Sequence, residues 1–412
     1  MLNPNTDQRE LAYVVTIDEI RPIPNYDRVE HARVGGWWVI VRKDQFKVGD
    51  LAIYIEVDAK VPEKEPFMFL EKRNFKVKTL KMCKVISQGL LMSVEDFGWF
   101  IENFEVNETE TDILVHVTDG SILRLGDFVT ERLGITYADP EDNKRKAASA
   151  DKYKLMAQRN GKLFKHQPFR WLMKRAWGRK LLFVFFGKKR DKRNSWPAWV
   201  SKTDEERCQN MPWLFPGNPD EEWIATEKID GTSTTFTMKG VGRKKEFYVC
   251  SRNVVFDKPD KKCFYETNVY TEMAEKYNIE QVLEDIMMTS ELNPVHITIQ
   301  GETYGDGIQK RTYELAEHDF MAFNVIFGLP DGSIKRLNPV EMTKFLKPYG
   351  IPCVPIVSEH FKIPATCDEL LDMATGKSMV DGGMREGLVF RAIDGVRSFK
   401  AVSNEFLLKY HS

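Results

Sequence analysis

Residues 144–193 hold 18 lysines and arginines against two aspartates, a local charge of +16 in a chain whose net charge is −1. The remaining 362 residues therefore carry −17. A basic block set in an acidic chain points to a polyanion partner for the block rather than for the whole protein. Phe169, Trp171, Leu172, Trp177, Leu181 and Leu182 recur within it near helical spacing, with Arg and Lys between. Three readings stand side by side: a solvated helical connector, a phosphate-backbone contact with rings for stacking, and a helix at a membrane interface. On each reading the block, taken as 141–194, separates a first stretch, 1–140, from a strand-rich second one, 195–412.

The 412 residues suffice for two or three domains with real cores. Apolar residues at 42% and charged residues at 29% describe an ordinary soluble globular protein. The longest apolar run, Leu181 to Phe186, is six residues, far short of the ~20 that a membrane span needs. The start, MLNPNTDQRE, has neither a basic nor an apolar region of a secretory signal. The six cysteines (83, 208, 250, 263, 353 and 367) form no Cys-x-x-Cys pair. That disfavours a zinc knuckle and a disulfide framework, and suits reduced thiols. An intracellular protein, cytoplasmic or nuclear and not secreted, is expected.

Residues 10–92 contain short strand-like runs: LAYVVTIDEI, WWVIVRK, LAIYIEVDAKVP and CKVISQGLLM, punctuated at Gly35-Gly36, Gly49-Asp50 and Gly89. About five strands in roughly a hundred residues suit a small β-barrel. Residues 93–140 are acidic and show no clear period, and read as an extension of this first domain. From Ser195 the chain is strand-rich again, with helices expected near 271–288, 339–349 and 367–375. Pro339 and Gly350 frame the second of these by cap logic.

The stretch 224–238, IATEKIDGTSTTFTM, reads as a hairpin turning at Asp230-Gly231, with φ > 0 expected at both turn residues. Lys228 stands two residues before the turn. Alone, Lys-x-Asp-Gly is a weak signal. Further segments follow in order. YVCSRNVVF puts Ser251-Arg252 at a strand end. HITIQGETYG puts Glu302 just past a strand. FMAFNVIF places Phe323 in a strand. REGLVFR places Glu386 before one, and VRSFKAVSNEFLLK places Lys400 near the end. Each residue by itself has an ordinary structural reading, as a surface charge or a core ring.

As an ordered set they resemble the motifs of the covalent nucleotidyltransferases, the superfamily of ATP-dependent ligases and mRNA capping enzymes. Lys228-Ile229-Asp230-Gly231 is similar to motif I and Ser251-Arg252 to motif Ia. Glu302 is similar to the motif III acid and Phe323 to the motif IIIa aromatic. Glu386-Gly387 is similar to motif IV and Lys400 to motif V. The resemblance implies that Lys228 attacks the α-phosphate of ATP, giving lysyl-AMP and pyrophosphate. An ordinary lysine has a pKa of ~10.4 and needs neighbouring positive charge to become neutral near pH 7. Departure of pyrophosphate calls for Mg²⁺ or Mn²⁺, for which Asp230, Glu302 and Glu386 are the candidate ligands. The resemblance also implies that Glu302 holds a ribose hydroxyl, that Arg252 contacts the nucleotide, that Phe323 stacks on the purine and that Lys400 touches the α-phosphate. Glu227 would lie beside the base.

Two features narrow the family. Only twelve residues follow Lys400, too few for the trailing OB domain of DNA ligases and capping enzymes, while a small β-barrel lies in front. One family of RNA ligases has that order, an N-terminal OB-like domain and a C-terminal adenylyltransferase domain. WPAWVSKTDEERCQN, TEKIDGTS, GETYG and SFKAVSNEFLLK look like it, and the match implies an active-site role for Arg207. The second lysine of the Lys-x-Lys often found at motif V is replaced by Val402.

The expected fold is therefore α+β: an N-terminal OB-like β-barrel followed by a nucleotidyltransferase (ATP-grasp-like ligase) domain of antiparallel sheets with flanking helices. The implied activity joins a 3′-OH and a 5′-phosphate RNA end, at a nick in a duplex, through lysyl-AMP and an adenylylated 5′ end, in RNA repair. Two alternatives stand: a GTP-dependent capping-type guanylyltransferase, and a nucleic-acid-binding protein with a degenerate nucleotidyltransferase fold.

Overall fold

The structure is a computed structural model describing residues 9–99, 101–106, 113–138, 166–175, 177–178, 180–182, 196–202, 205–252, 254–256, 265 and 267–411. Most of the basic block lies outside the described residues.

The N-terminal strands are β1 (Ala12–Thr16), β2 (Glu19–Ile23), β3 (Tyr26–Val34), β4 (Trp37–Arg42), β5 (Leu51–Ile55), β6 (Ala59–Lys60), β7 (Leu80–Met82), β8 (Val85–Ser87) and β9 (Leu90–Ser93), then β10 (Ile101–Val106), β11 (Ile113–Val117), β12 (Ile122–Leu123) and β13 (Thr136–Tyr137). They pair as β1-β5-β9, β2-β3-β4, β10-β11-β12, β6-β13 and β7-β8. β5 is buried along its whole length. Alternation sends Leu51, Ile53 and Ile55 into one apolar cluster and Ala52 and Tyr54 into another, with Trp37 and Val39. The acidic stretch 93–140 joins the first of these clusters through Phe97, Ile101, Val115, Val117, Leu123, Val129, Leu133 and Ile135. It contributes four short strands, β10 to β13, and a short helical turn at Val94–Phe97. Its apolar residues are spread over short strands and the turns between them, so no single window shows their period.

In the basic block the described helix α1 (Gln167–Lys174) has Pro168 in its first turn. Trp171 and Trp177 are half exposed and meet edge to face at 6.0 Å, and Arg175 lies 4.0 Å over Trp171.

The C-terminal strands are β14 (Glu206–Arg207), β15 (Trp223–Lys228), β16 (Thr232–Lys239), β17 (Glu246–Ser251), β18 (Val255–Phe256), β19 (His296–Tyr304), β20 (Asp319–Gly328), β21 (Ile334–Arg336), β22 (Ile356–Phe361), β23 (Gly387–Ala392) and β24 (Ser398–Val402). They form a five-stranded sheet, β14-β24-β23-β15-β22, and a six-stranded sheet, β18-β17-β16-β19-β20-β21. The pairs are antiparallel except β14 with β24, which is parallel. Helices α2 (Val269–Lys276), α3 (Ile279–Thr289) and α4 (Pro339–Leu346) pack on the six-stranded sheet, and α5 (Cys367–Ala374) packs on the five-stranded one. The helix expected over 271–288 is two helices, separated where Asn278 takes a left-handed φ of 46°. Asn338 and Thr366 close capping boxes at the starts of α4 and α5.

The hairpin reading of 224–238 is overturned. β15 pairs with β22 and β23, whereas β16 pairs with β17 and β19. The two strands belong to different sheets, and neither Asp230 nor Gly231 has a positive φ. Asp-Gly marks a crossing from sheet to sheet. Gly231 is needed there for closeness: a Cβ would lie 2.3 Å from the Thr303 carbonyl oxygen. Glu302 is also corrected, since β19 runs on to Tyr304 and places it inside the strand.

Candidate active site

Register fixes what shares a face. Arg207 pairs with Lys400, Lys400 with Val389 and Val389 with Thr226. One row along, Val402 pairs with Gly387 and Gly387 with Lys228. Paired residues, and residues two apart on a strand, point to the same side. Arg207, Lys400 and Lys228 therefore share one face of the five-stranded sheet. Its other face, with Trp223, Ala225, Leu388, Phe390 and Phe399, packs against α5. Gly387 is required in the Lys228 row because a Cβ would lie 2.2 Å from the Ala401 carbonyl oxygen.

The six-stranded sheet brings the carboxylates. Glu302 pairs with Ser233 on one side and Met321 on the other. Its Cγ would lie 2.9 Å from a Cβ at Gly231, so the sheet crossing places it beside motif I. Lys228 Nζ donates to Glu386 Oε2 at 2.8 Å, and Asp230 and Glu386 are both buried. Phe323 sits at a β-bulge: Gln300 pairs with Asn324 and Gly301 with Ala322, leaving Phe323 as the extra residue. A bulge re-aims its side chain, and Phe323 packs on the cluster of Ile229, Tyr304, Tyr313 and Val354.

The field is governed by these acids. Burial favours a neutral Lys228, but the charges of Glu386, Glu302 and Asp230 prevail and hold its ammonium well above the usual lysine range. Burial pushes the Glu302 carboxyl up to about 8, opposed by Lys228 and Arg252 and reinforced by Glu386 and Asp230. A cation among these acids would relieve both effects. The donor set, three carboxylates, suits a hard divalent ion. Among the described residues no group of three or more His, Cys, Asp or Glu stands ready-made as a metal cage.

The remaining expected residues are placed as follows. Arg252 lies partly buried at the end of β17, 5.5 Å over the Tyr137 ring of the N-terminal region. Lys400 is partly buried in β24. Arg207 is buried, with Nη2 3.8 Å from Asp58 Oδ2 and its guanidinium 5.8 Å from the Trp37 ring. Glu227 points to the face opposite Lys228. It is buried, and its Oε2 accepts from the Met379 N–H at 2.7 Å.

Sequence reasoning passed over three groups. Arg391 pairs with Ile224 and Ser398, which puts it on the Lys228 face, and it donates to Glu205 Oε1 at 3.2 Å. Counting by twos from Gly387 would have found it. Asn210 ties the two regions: its Oδ1 accepts from Trp37 Nε1 at 2.6 Å and its Nδ2 donates to Glu56 Oε1 at 2.8 Å. Tyr313 Oη accepts from the Asp230 N–H at 2.7 Å. Neither of these last two belongs to a local pattern.

Residues 221–411 match the family model of the RNA ligases, and residues 11–94 match that of an OB-fold domain. A search of curated protein sequences finds no match. Among solved structures, a Naegleria gruberi RNA ligase variant with ATP and Mn is similar at a TM-score of 0.69 and 25% identity, over 98% of this chain and 100% of that one. The Naegleria gruberi RNA ligase with PPi gives 0.66 and 25%, over 97% and 98%. A further variant of that ligase, with AMP and Mn, gives 0.68 and 24%, over 98% and 99%.

Proposed function

We propose, from the premise that residues 221–411 belong to the RNA ligase family and follow an OB-fold domain, that the protein seals RNA ends with ATP through a lysyl-AMP intermediate. The observation that carries this reading is Lys228, held at 2.8 Å by Glu386 on a face shared with Lys400 and Arg207 and beside Glu302. The neutral Lys228 amine attacks the α-phosphorus of ATP, the bond to the bridging oxygen breaks, and pyrophosphate leaves with the electron pair. The amine proton is lost to solvent or to a neighbouring carboxylate. AMP then passes to a 5′-phosphate, and a 3′-OH displaces it.

Asp230, Glu302 and Glu386 would hold Mg²⁺ or Mn²⁺, which supplies charge stabilisation on the phosphates. Lys400 and Arg252 offset phosphate charge, and Phe323 stacks on the purine. Arg207 joins Lys400 at the phosphates. Glu227, on the opposite face, acts through the backbone near the base. The substrate is a nicked duplex in RNA repair, and the basic block 144–193 contacts a strand through phosphates and exposed rings such as Trp171. The free cysteines among the described residues, Cys83, Cys208, Cys250, Cys353 and Cys367, fit an intracellular setting.

Incubation with α-labelled ATP and Mg²⁺ or Mn²⁺ tests the reading. Wild-type protein should acquire label and Lys228→Ala should not. An unlabelled wild type, or label from GTP in place of ATP, would overturn it.

A further inference from the structure

Lys228 ends one sheet and Thr232 begins the other, so the three residues between lie outside both strands. Between the strands the Asp230 N–H donates to Tyr313 Oη at 2.7 Å. Both residues are buried, Tyr313 at 2% exposure and Asp230 at 5%. Tyr313 is held unusually. It and Glu314 have φ of 54° and 55°, two successive left-handed residues without glycine. Such conformations persist only where the surroundings over-determine them.

The surroundings do so here. The Arg311 guanidinium lies 4.2 Å from the Tyr313 ring centroid. Arg311 Nη2 pairs with Asp381 Oδ1 at 2.5 Å, with side chains only 6% and 8% exposed. Asp381 Oδ1 also accepts from the Gly383 N–H at 3.0 Å. Gly383 makes room: a Cβ there would lie 3.0 Å from both terminal guanidinium nitrogens.

The segment 378–386 thus reaches motif I by three routes. The Met379 N–H binds Glu227, the residue before the lysine. Glu386 binds the lysine itself. Asp381 reaches Asp230, two residues after it, through Arg311 and Tyr313.

We propose that Tyr313 is a positioning residue for Lys228. Its hydroxyl binds the backbone at the crossing between the two sheets, and the buried Arg311–Asp381 pair holds the ring in place. The inference rests on the reading of Lys228 as the nucleophile. A nucleophile displaced by about 1 Å loses on the order of a hundredfold in rate, so a brace on the crossing acts on the rate of attack rather than on ATP affinity.

The test uses the full chain with Tyr313→Phe, which keeps the ring and removes only the acceptor, and with Asp381→Asn, which loosens the pair. Single-turnover lysyl-AMP formation is measured against ATP concentration. Sealing of a preadenylylated RNA strand, which bypasses attack by the lysine, is measured in parallel. Tyr313→Phe should form lysyl-AMP about ten- to a hundredfold more slowly, with half-saturating ATP within about twofold and sealing of preadenylylated RNA near wild type. Asp381→Asn should move the same step in the same direction, by less. A wild-type rate of lysyl-AMP formation in Tyr313→Phe overturns the inference. So does an equal loss in both reactions, which would mark a general structural role. Wild-type protein that takes no label at all would instead defeat the reading of Lys228.

Discussion

Lys228 and Glu386 form an ion pair at 2.8 Å, reached from adjacent strands: Lys228 ends β15, and Glu386 immediately precedes β23, whose Gly387 is the register partner of Lys228. The pair stabilises the form of the lysine that cannot attack a phosphate. Its side chain is a quarter exposed, and its ammonium is held up by Glu386, Glu302 and Asp230 against the opposing effect of burial. Nucleophilic attack therefore requires that the field of these acids be offset.

That requirement sets the pH dependence of label transfer. A raised lysine pKa means the reactive amine grows as pH rises, so lysyl-AMP formation should climb across the neutral to alkaline range. A divalent cation among the carboxylates lowers the lysine pKa. The pH of half-maximal rate should accordingly fall as Mg²⁺ or Mn²⁺ is raised. Rate profiles at two metal concentrations, with no displacement between them, would contradict the electrostatic account.

Glu302 makes a prediction about stability rather than rate. Burial lifts its folded carboxyl from 4.5 to about 8. The folded protein then binds this proton more tightly than the unfolded chain. Stability from that binding is fully present below 4.5 and is lost as pH rises through about 8. In chelator, the melting temperature of Glu302→Gln should gain on that of wild type as pH rises through this window, and the two should run parallel above it. The change of the difference with pH is the measurement; a constant offset would show that Glu302 ionises freely.

Much of this site is legible in sequence, because one-dimensional order survives folding. Lys228, Asp230, Glu302 and Glu386, each singled out in the sequence, lie close enough for the acids to set the charge of the lysine. The errors came from local rules applied where tertiary structure decided. Asp230-Gly231 has the chemistry of a hairpin turn, yet the glycine serves the close passage of Thr303 and the strands part. Glu302 follows a glycine that resembles a strand end, but Gly301 is there because a Cβ would meet Phe320 and Met321 at 2.3 Å, and the strand continues. Asn210 and Tyr313 were illegible for another reason. Their partners are 173 and 83 residues away, Trp37 and Asp230, and nothing periodic links them.

Asn210 predicts how the N-terminal and C-terminal regions are coupled. Asn210→Ala would strand the Trp37 indole N–H and leave the buried Glu56 carboxylate without its donor. Orphaned buried groups cost about 1–3 kcal/mol each, so unfolding free energy should drop on the order of 2–4 kcal/mol. Denaturant titration followed by Trp fluorescence checks this. A loss under about 0.5 kcal/mol, typical of a surface substitution, would show that the joint bears no load.

The basic block gives the last prediction, and it follows from charge alone. Removing residues 144–193 deletes +16 and leaves a chain of −17, which repels a phosphate backbone. Replacing the block with a short linker should weaken RNA binding, and more at 50 mM than at 200 mM salt, because counterion release carries most of such affinity at low salt. The slope of log affinity against log salt should flatten by about 0.7 for each lost contact to a single strand. Lysyl-AMP formation should persist, since every residue placed at the site lies outside the deleted segment, from Arg207 to Lys400. Gel-shift titrations at both salt concentrations, beside a labelling assay, separate the outcomes. Unchanged affinity with an unchanged slope would mark the block as a connector whose charge serves solubility. Loss of labelling together with binding would mean that the block also holds the two regions in their working arrangement.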